Sequence, residues 1–143
     1  MNLRVYIAGP YTNPDPVSNT ATALTYFADL MQMGFQPYCP HLVSHTAAMI
    51  CDYDYDRWMD LCFAWVRASH VVVRISGHSP GADREVALAT ELGIPVFEST
   101  LDGQHIEKLK KWAANQNCHN SGRPAEGKPP GGPDGDAQQT CQT

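Results

Sequence analysis

The chain has 143 residues, 43% of them hydrophobic, and a formal charge of −5. This suits one ordinary domain with a buried core and argues against non-specific binding to a nucleic-acid polymer, which needs clustered Lys and Arg. A small phosphorylated ligand stays admissible, because a few backbone N–H groups hold phosphate without net positive charge.

No apolar run approaches the roughly 20 residues that span a bilayer, and the opening MNLRVYIAGP is too short and too β-like for a signal peptide. Neither a membrane span nor a secreted product is expected. The five cysteines, Cys39, Cys51, Cys62, Cys118 and Cys141, are odd in number and form no C-x-x-C pair. They make neither a disulfide framework nor a zinc site, so a reduced cytoplasmic protein is expected.

In chain order, LRVYIA (3–8) is a β-rich apolar run ended by Gly9-Pro10 and predicts a strand. NPDPVS is turn chemistry, with Ser18 or Asn19 able to cap the helix predicted over 19–33. Ala23, Phe27, Leu30 and Met31 give that helix an apolar face, and Gly34 ends it. FQPYCP predicts a short second strand, and 41–53 reads as loop with some helix. A second helix is expected over 54–69, with Leu61, Ala64, Trp65 and Ala68 as its buried stripe and Asp56 and Asp60 on another face.

HVVVRI (70–75) reads as a central strand buried on both faces. A helix over 81–92, a strand over 94–98 and a helix over 103–114 carrying Ile106, Leu109 and Trp112 complete the pattern. From residue 115 to 143 the composition turns Pro/Gly-rich and polar, and a disordered tail is expected. The alternation predicts right-handed βαβ units: a Rossmann-like (flavodoxin-like), doubly wound parallel sheet of four or five strands in three α/β/α layers over 1–114. With strand order 2-1-3-4, the loops after the first and third strands, GPYTNP and SGHSPGAD, meet where ligands bind, beyond the carboxyl ends of the strands.

The second of these loops carries the strongest chemical signal. Gly77 and Gly81 permit close backbone approach, Ser79 offers a hydroxyl, and free N–H groups at the helix start favour an anion. The spacing is neither a Walker loop nor G-x-G-x-x-G. Glu85 is expected in the first helical turn, where the helix dipole favours its carboxylate. An ionised, positioned carboxylate is what attack on a sugar anomeric carbon needs. A capping box would give it a structural role instead, but three residues earlier stands Ala82, which has no side chain to cap with. A plain dipole-stabilising acid remains an alternative, and Asp83 serves that role as well.

His41 and His45 stand at i,i+4 with no evident third metal ligand. They read as structural or ligand-contacting residues, and no metal is expected. DYDYD (52–56) lacks the glycine and terminal Glu of a calcium loop and reads as an acidic approach to a helix. Tyr53, Tyr55 and Trp58 suit a base-stacking wall or ordinary packing.

IAGPYT after a first strand, PHL at 40–42 and SPGADREVALA…LGIPVF resemble the nucleoside 2-deoxyribosyltransferase-like superfamily, which includes nucleoside 5′-monophosphate N-glycoside hydrolases. The likeness runs over about residues 3 to 98, and the Ser79-x-Gly81-x-x-x-Glu85 spacing is its specific part. The resemblance implies cleavage of the base–(deoxy)ribose bond of a nucleoside or its 5′-monophosphate, with Glu85 attacking the anomeric carbon. A covalent glycosyl intermediate forms, and water or an acceptor base resolves it. It implies that Ser79 and Gly81 hold the 5′-phosphate and that Tyr6, Gly9 and Tyr11 line the sugar and base; Pro10 and His41 are further substrate-binding candidates. It further implies no cofactor and a homo-oligomer whose neighbours complete the site.

The pattern also carries an aspartate on the helix before the third strand, assisting acid/base steps. Here Cys62 occupies that place, and Asp60 lies two residues earlier, about 200° around the helix. Either Asp60 serves after a helix shift or the chain lacks the second acid. The alternative function is then a catalytically weak nucleotide-binding or sensing module in the same cleft.

Overall fold

The computed structural model of the chain describes residues 2–47 and 49–120. The elements run β1 (Arg4–Ala8), α1 (Pro16–Gln32), β2 (Gln36–Tyr38), α2 (Pro40–Ala47), α3 (Tyr55–Ala68), β3 (Val71–Arg74), α4 (Pro80–Glu91), β4 (Val96–Glu98) and α5 (Gln104–Asn120). The four strands form one parallel sheet in the order β2-β1-β3-β4. The expected Rossmann-like α/β/α architecture and its strand order are therefore present, with four strands.

Side chains alternate across the sheet, as strand geometry requires. Val5 and Ile7 of β1, with Val71 and Val73 of β3, pack against Ala23 and Leu30 of α1 and Leu109 and Ala113 of α5. Tyr6 and Ala8, with Val72, face the opposite way, onto Val66 of α3 and Ala82 and Ala89 of α4. This alternation aims the Tyr6 side chain at the α3/α4 layer. Both faces of β1 and β3 are covered, which explains their near-continuous apolar runs.

Several local expectations differ from the structure, each for a physical reason. Helix α1 begins at Pro16, not at 19. Asp15 is its N-cap, accepting from the Val17 and Ser18 N–H groups at 3.0 and 2.9 Å, and Pro16 fits the first helical position, where its missing N–H is harmless. Met31 is exposed, so the buried face of α1 is Thr20, Ala23 and Leu30.

The stripe of α3 is also turned. Met59 and Val66 are buried, with Cys62 packed beside them, while Leu61 and Trp65 are 39% and 41% exposed. This helix carries two apolar stripes, and only its docking on Tyr6 and Val72 chooses between them. Trp65 instead stacks on Tyr38 at the sheet edge, with ring centroids 4.5 Å apart. The 41–53 stretch contains helix α2, which starts at Pro40. Helix α5 continues to Asn120, six residues past the expected end of the domain, and the rest of the expected tail, 121–143, lies outside the described residues.

Leu30→Ala, which opens a cavity in the α1 layer, is expected to lower unfolding free energy by roughly 2–5 kcal/mol. The adjacent Met31→Ala, on the exposed face, should cost about 0.5 kcal/mol or less. Urea unfolding of the two variants checks the assignment; similar losses for both would contradict it.

Candidate functional site

A cavity of about 550 Å³ opens beyond the carboxyl ends of β1 and β3. The loop after β1 contributes Gly9, Tyr11, Thr12 and Asn13 to its lining. Pro40, His41 and Ser44 come from α2, and Cys51 to Tyr53 from the loop that follows. Tyr55, Trp58, Met59 and Cys62 line it from α3, and His78 to Ala82 with Glu85 from the loop after β3 and α4. The two loops flagged by strand order thus face one space.

Glu85 forms the inner end of the site, with 5% of its surface exposed. The Tyr6 hydroxyl donates to its Oε1 at 2.8 Å. Burial pushes the Glu85 carboxyl up to about 7, against the opposing effects of the Tyr6 and Cys62 hydrogen bonds and the Arg74 charge. The helix dipole is not what governs its ionisation, contrary to expectation. Helix α4 starts at Pro80, so Glu85 is its sixth residue and lies beyond the first turn, where the dipole acts. Asp83 occupies that first turn instead. Burial likewise pushes the Cys62 thiol up to about 12, helped by the neighbouring Glu85 charge, and drives the Tyr6 phenol well above its ordinary range. All three groups therefore hold their protons at neutral pH more strongly than free side chains do.

The mouth of the site begins at the start of α4. Ser79 is its N-cap, and its Oγ accepts from the Ala82 N–H at 3.2 Å. The Asp83 N–H bonds to the Ser79 carbonyl, and Pro80 has no N–H. Gly81 is left with the first-turn N–H that makes no hydrogen bond among the described residues, and the Ser79 hydroxyl retains its proton to donate. Gly81 also answers a packing constraint, because a Cβ there would lie 3.3 Å from Tyr55 Oη and 3.5 Å from Met59 Sδ.

The first loop is firmly anchored. Asn19 donates its amide to the Tyr11 and Asn13 carbonyls at 2.8 and 2.7 Å. His41 is buried and its Nε2 meets the Pro10 carbonyl at 2.8 Å, which fixes the proton on Nε2. Burial holds this imidazole below its ordinary range, so it acts as a neutral donor.

Glu85, Gly9, Tyr11, His41, Ser79 and Gly81 therefore converge on one cavity, with Tyr6 directly behind Glu85. Pro10 contributes through its carbonyl and through its ring, which presses on Gly77. Asp60 does not join them. It is exposed on α3 and absent from the cavity lining, whereas Cys62 faces inward. The rotation that buries Met59 and Val66 excludes the residue two positions before Cys62.

The sequence reading missed Arg74, a buried guanidinium at the end of β3. An arginine closing a valine run was its available signal. Asp52, Tyr53, Tyr55 and Trp58 all line the cavity, which places the aromatic trio beside the site and one acid of DYDYD at it. Among the described residues, no group of three or more His, Cys, Asp or Glu side chains could hold a metal ion. No helix there is long and apolar enough to cross a membrane.

A family model described as a domain of unknown function, DUF7768, matches residues 3–99. The chain belongs to this family. The DUF7768 segment runs from β1 through β4 and contains every residue of the site. The fold is also similar to the crystal structure of a conserved protein from Enterococcus faecalis V583, at 21% identity and a TM-score of 0.54. That match covers 84% of this chain and 79% of the other. No curated protein matches the chain.

The raised carboxyl has a consequence for the stability of this DUF7768 domain. Native Glu85 binds its proton more tightly than unfolded Glu85 does, so stability falls as pH rises from the ordinary glutamate range through about 7. Glu85→Gln removes that fall. Between pH 4 and 8 (chosen to bracket the titration), the variant should lose on the order of 1–3 kcal/mol less stability than the wild type. Denaturant unfolding at both pH values measures the difference, and parallel curves would contradict the assignment.

Proposed function

We propose that the chain cleaves the N-glycosidic bond of a nucleoside 5′-monophosphate or (deoxy)nucleoside. The observation that carries this reading is the buried Glu85 carboxyl, held by Tyr6 at 2.8 Å inside a cavity that opens onto Ser79 and Gly81. The motif likeness to nucleoside 2-deoxyribosyltransferases supports it. Glu85 Oε attacks the anomeric carbon, the carbon–nitrogen bond breaks, and its electron pair leaves with the base, which takes up a proton. Water then attacks the anomeric carbon of the glycosyl ester, releases the sugar phosphate and restores the carboxylate. Hydrolysis is favoured over transfer to a second base because the anion seat suits nucleotide substrates.

In this reading Tyr6 orients the nucleophile. The Ser79 hydroxyl and Gly81 N–H receive the phosphate, and Tyr11, with the Tyr53–Trp58 pair (ring centroids 5.9 Å apart), flanks sugar and base. His41 keeps the first loop in place. The mechanism uses no metal or organic cofactor. The thiols of Cys39, Cys51 and Cys62 are free, which fits a reducing cytoplasm. A homo-oligomer fits the exposed Leu61 and Trp65 of α3.

A second reading is favoured by Cys62. A thiol pushed up to about 12 is a poor acid/base partner, and Asp60 points elsewhere. The same cavity would then bind nucleotides with little turnover.

Incubation with deoxynucleoside monophosphates, followed by chromatography for free base, separates the two. The enzyme reading expects base release that rises about tenfold per pH unit until Glu85 ionises near 7. Glu85→Ala should lower kcat by at least roughly a thousandfold. Nucleotide binding without base release from the wild type would leave only the binding module.

A further inference from the structure

Strand β3 ends on a residue that its apolar pattern does not prepare for. Val71, Val72 and Val73 are fully buried, and Arg74 follows with only 8% of its surface exposed. A guanidinium buried to this extent is destabilising unless its donors find acceptors. Nη1 donates to the Ile75 carbonyl, and Nη2 donates to the Gly77 carbonyl at 2.9 Å and to the Asp83 carboxylate at 2.8 Å. Two of these partners belong to the loop that leads into α4, and the third belongs to its first turn.

We propose that Arg74 is a positioning residue, whose fork locks the 75–77 turn to the first turn of α4 and so presents Ser79 and Gly81 to the cavity. The inference rests on the glycosidase reading of that cavity and deepens it. The turn has little slack of its own. Gly77 sits at φ +124°, a conformation L side chains rarely adopt, and a Cβ there would meet Pro10 Cγ at 2.8 Å. With the Pro10 side closed, the Gly77 carbonyl points to Arg74, and the chain must then run into Pro80. A lysine would supply the charge without the planar fork that reaches three acceptors at once.

Arg74 also acts on the acid. Three groups bear on Glu85 from the elements packed against it: Tyr6 from β1, Cys62 from α3 and Arg74 from β3. Arg84, the next residue in the chain, turns away toward the Tyr55 and Phe63 rings, 5.8 and 5.3 Å from their centroids. Arg74 is therefore the cation that favours the Glu85 carboxylate against its burial.

Arg74→Met, Arg74→Lys and Asp83→Asn in the full chain test this by two readouts: KM for a deoxynucleoside monophosphate, and the Glu85 titration followed by carboxyl 13C NMR. Arg74→Met should raise KM roughly tenfold and move the titration to higher pH. Arg74→Lys should share the KM increase while leaving the titration near that of the wild type. Asp83→Asn keeps the cation and an acceptor oxygen, removes the negative charge that strengthens this bond, and should raise KM by a smaller factor. A folded Arg74→Met protein with wild-type KM and titration, changed only in stability, overturns the proposal. Should Arg74→Met fail to fold, unchanged KM in both other variants overturns it. A wild type that cleaves no nucleotide overturns the glycosidase reading instead, and the Glu85 titrations then decide whether Arg74 acts on the acid.

Discussion

The parallel pairing of β1 with β3 is the constraint on which the rest of the molecule depends. Its register sets Tyr6 beside Val72 and Ala8 beside Arg74. Because the strands run the same way, the loops that leave them emerge at one edge, and the cavity forms where they part. The pairing also fixes side-chain direction. Tyr6 faces the α3/α4 layer because Val5 and Ile7 are taken up by α1 and α5. A slip of one residue would turn the phenol into the opposite layer and leave Glu85 without its donor.

Within that frame the site is a contest between burial and stabilisation of charge. Glu85 lies among Tyr6, Cys62 and Ala82, where a carboxylate is poorly solvated. One phenolic hydrogen bond, one thiol and one guanidinium oppose the desolvation, and burial prevails until about neutral pH. The acid is thus held near the point where either protonation state is accessible, as groups that exchange protons or attack carbon often are. Structural ion-pair networks also shift carboxyls, but Glu85 forms no salt bridge among the described residues and faces a cavity.

The fold was legible because hydrophobic periodicity and punctuation agreed. The VVV run, the LGIP stop and the alternation of elements were enough for the elements and the parallel sheet, and the strand order is the common one for such sheets. The site was legible to the level of loops: Ser79, Gly81 and Glu85 do meet Gly9, Tyr11 and His41. What local pattern missed was rotation and registry. Helix α3 offers two apolar stripes, and the choice between them is made by its docking on Tyr6 and Val72, which lie outside the helix. The same choice turned Asp60 outward. The place of Glu85 in α4 was misjudged because the helix starts one residue earlier than expected, with Ser79 as its N-cap, which puts Glu85 beyond the first turn. Arg74 escaped notice because its partners are mostly backbone carbonyls, which carry no residue identity.

The two walls of the cavity differ in compliance. The first loop is tied down by Asn19, by His41 and by the Pro10–Gly77 contact, each from a different part of the chain. Across from it, Asp52 and Tyr53 make no hydrogen bond to other described residues, and their stretch is secured at its ends, by Cys51 N–H on the Ala47 carbonyl and by Asp54 on the Arg57 N–H. Local stability follows such contacts. Under the glycosidase reading, adjustment to the outline of a nucleotide would fall to the aromatic side, while the first loop would hold its shape.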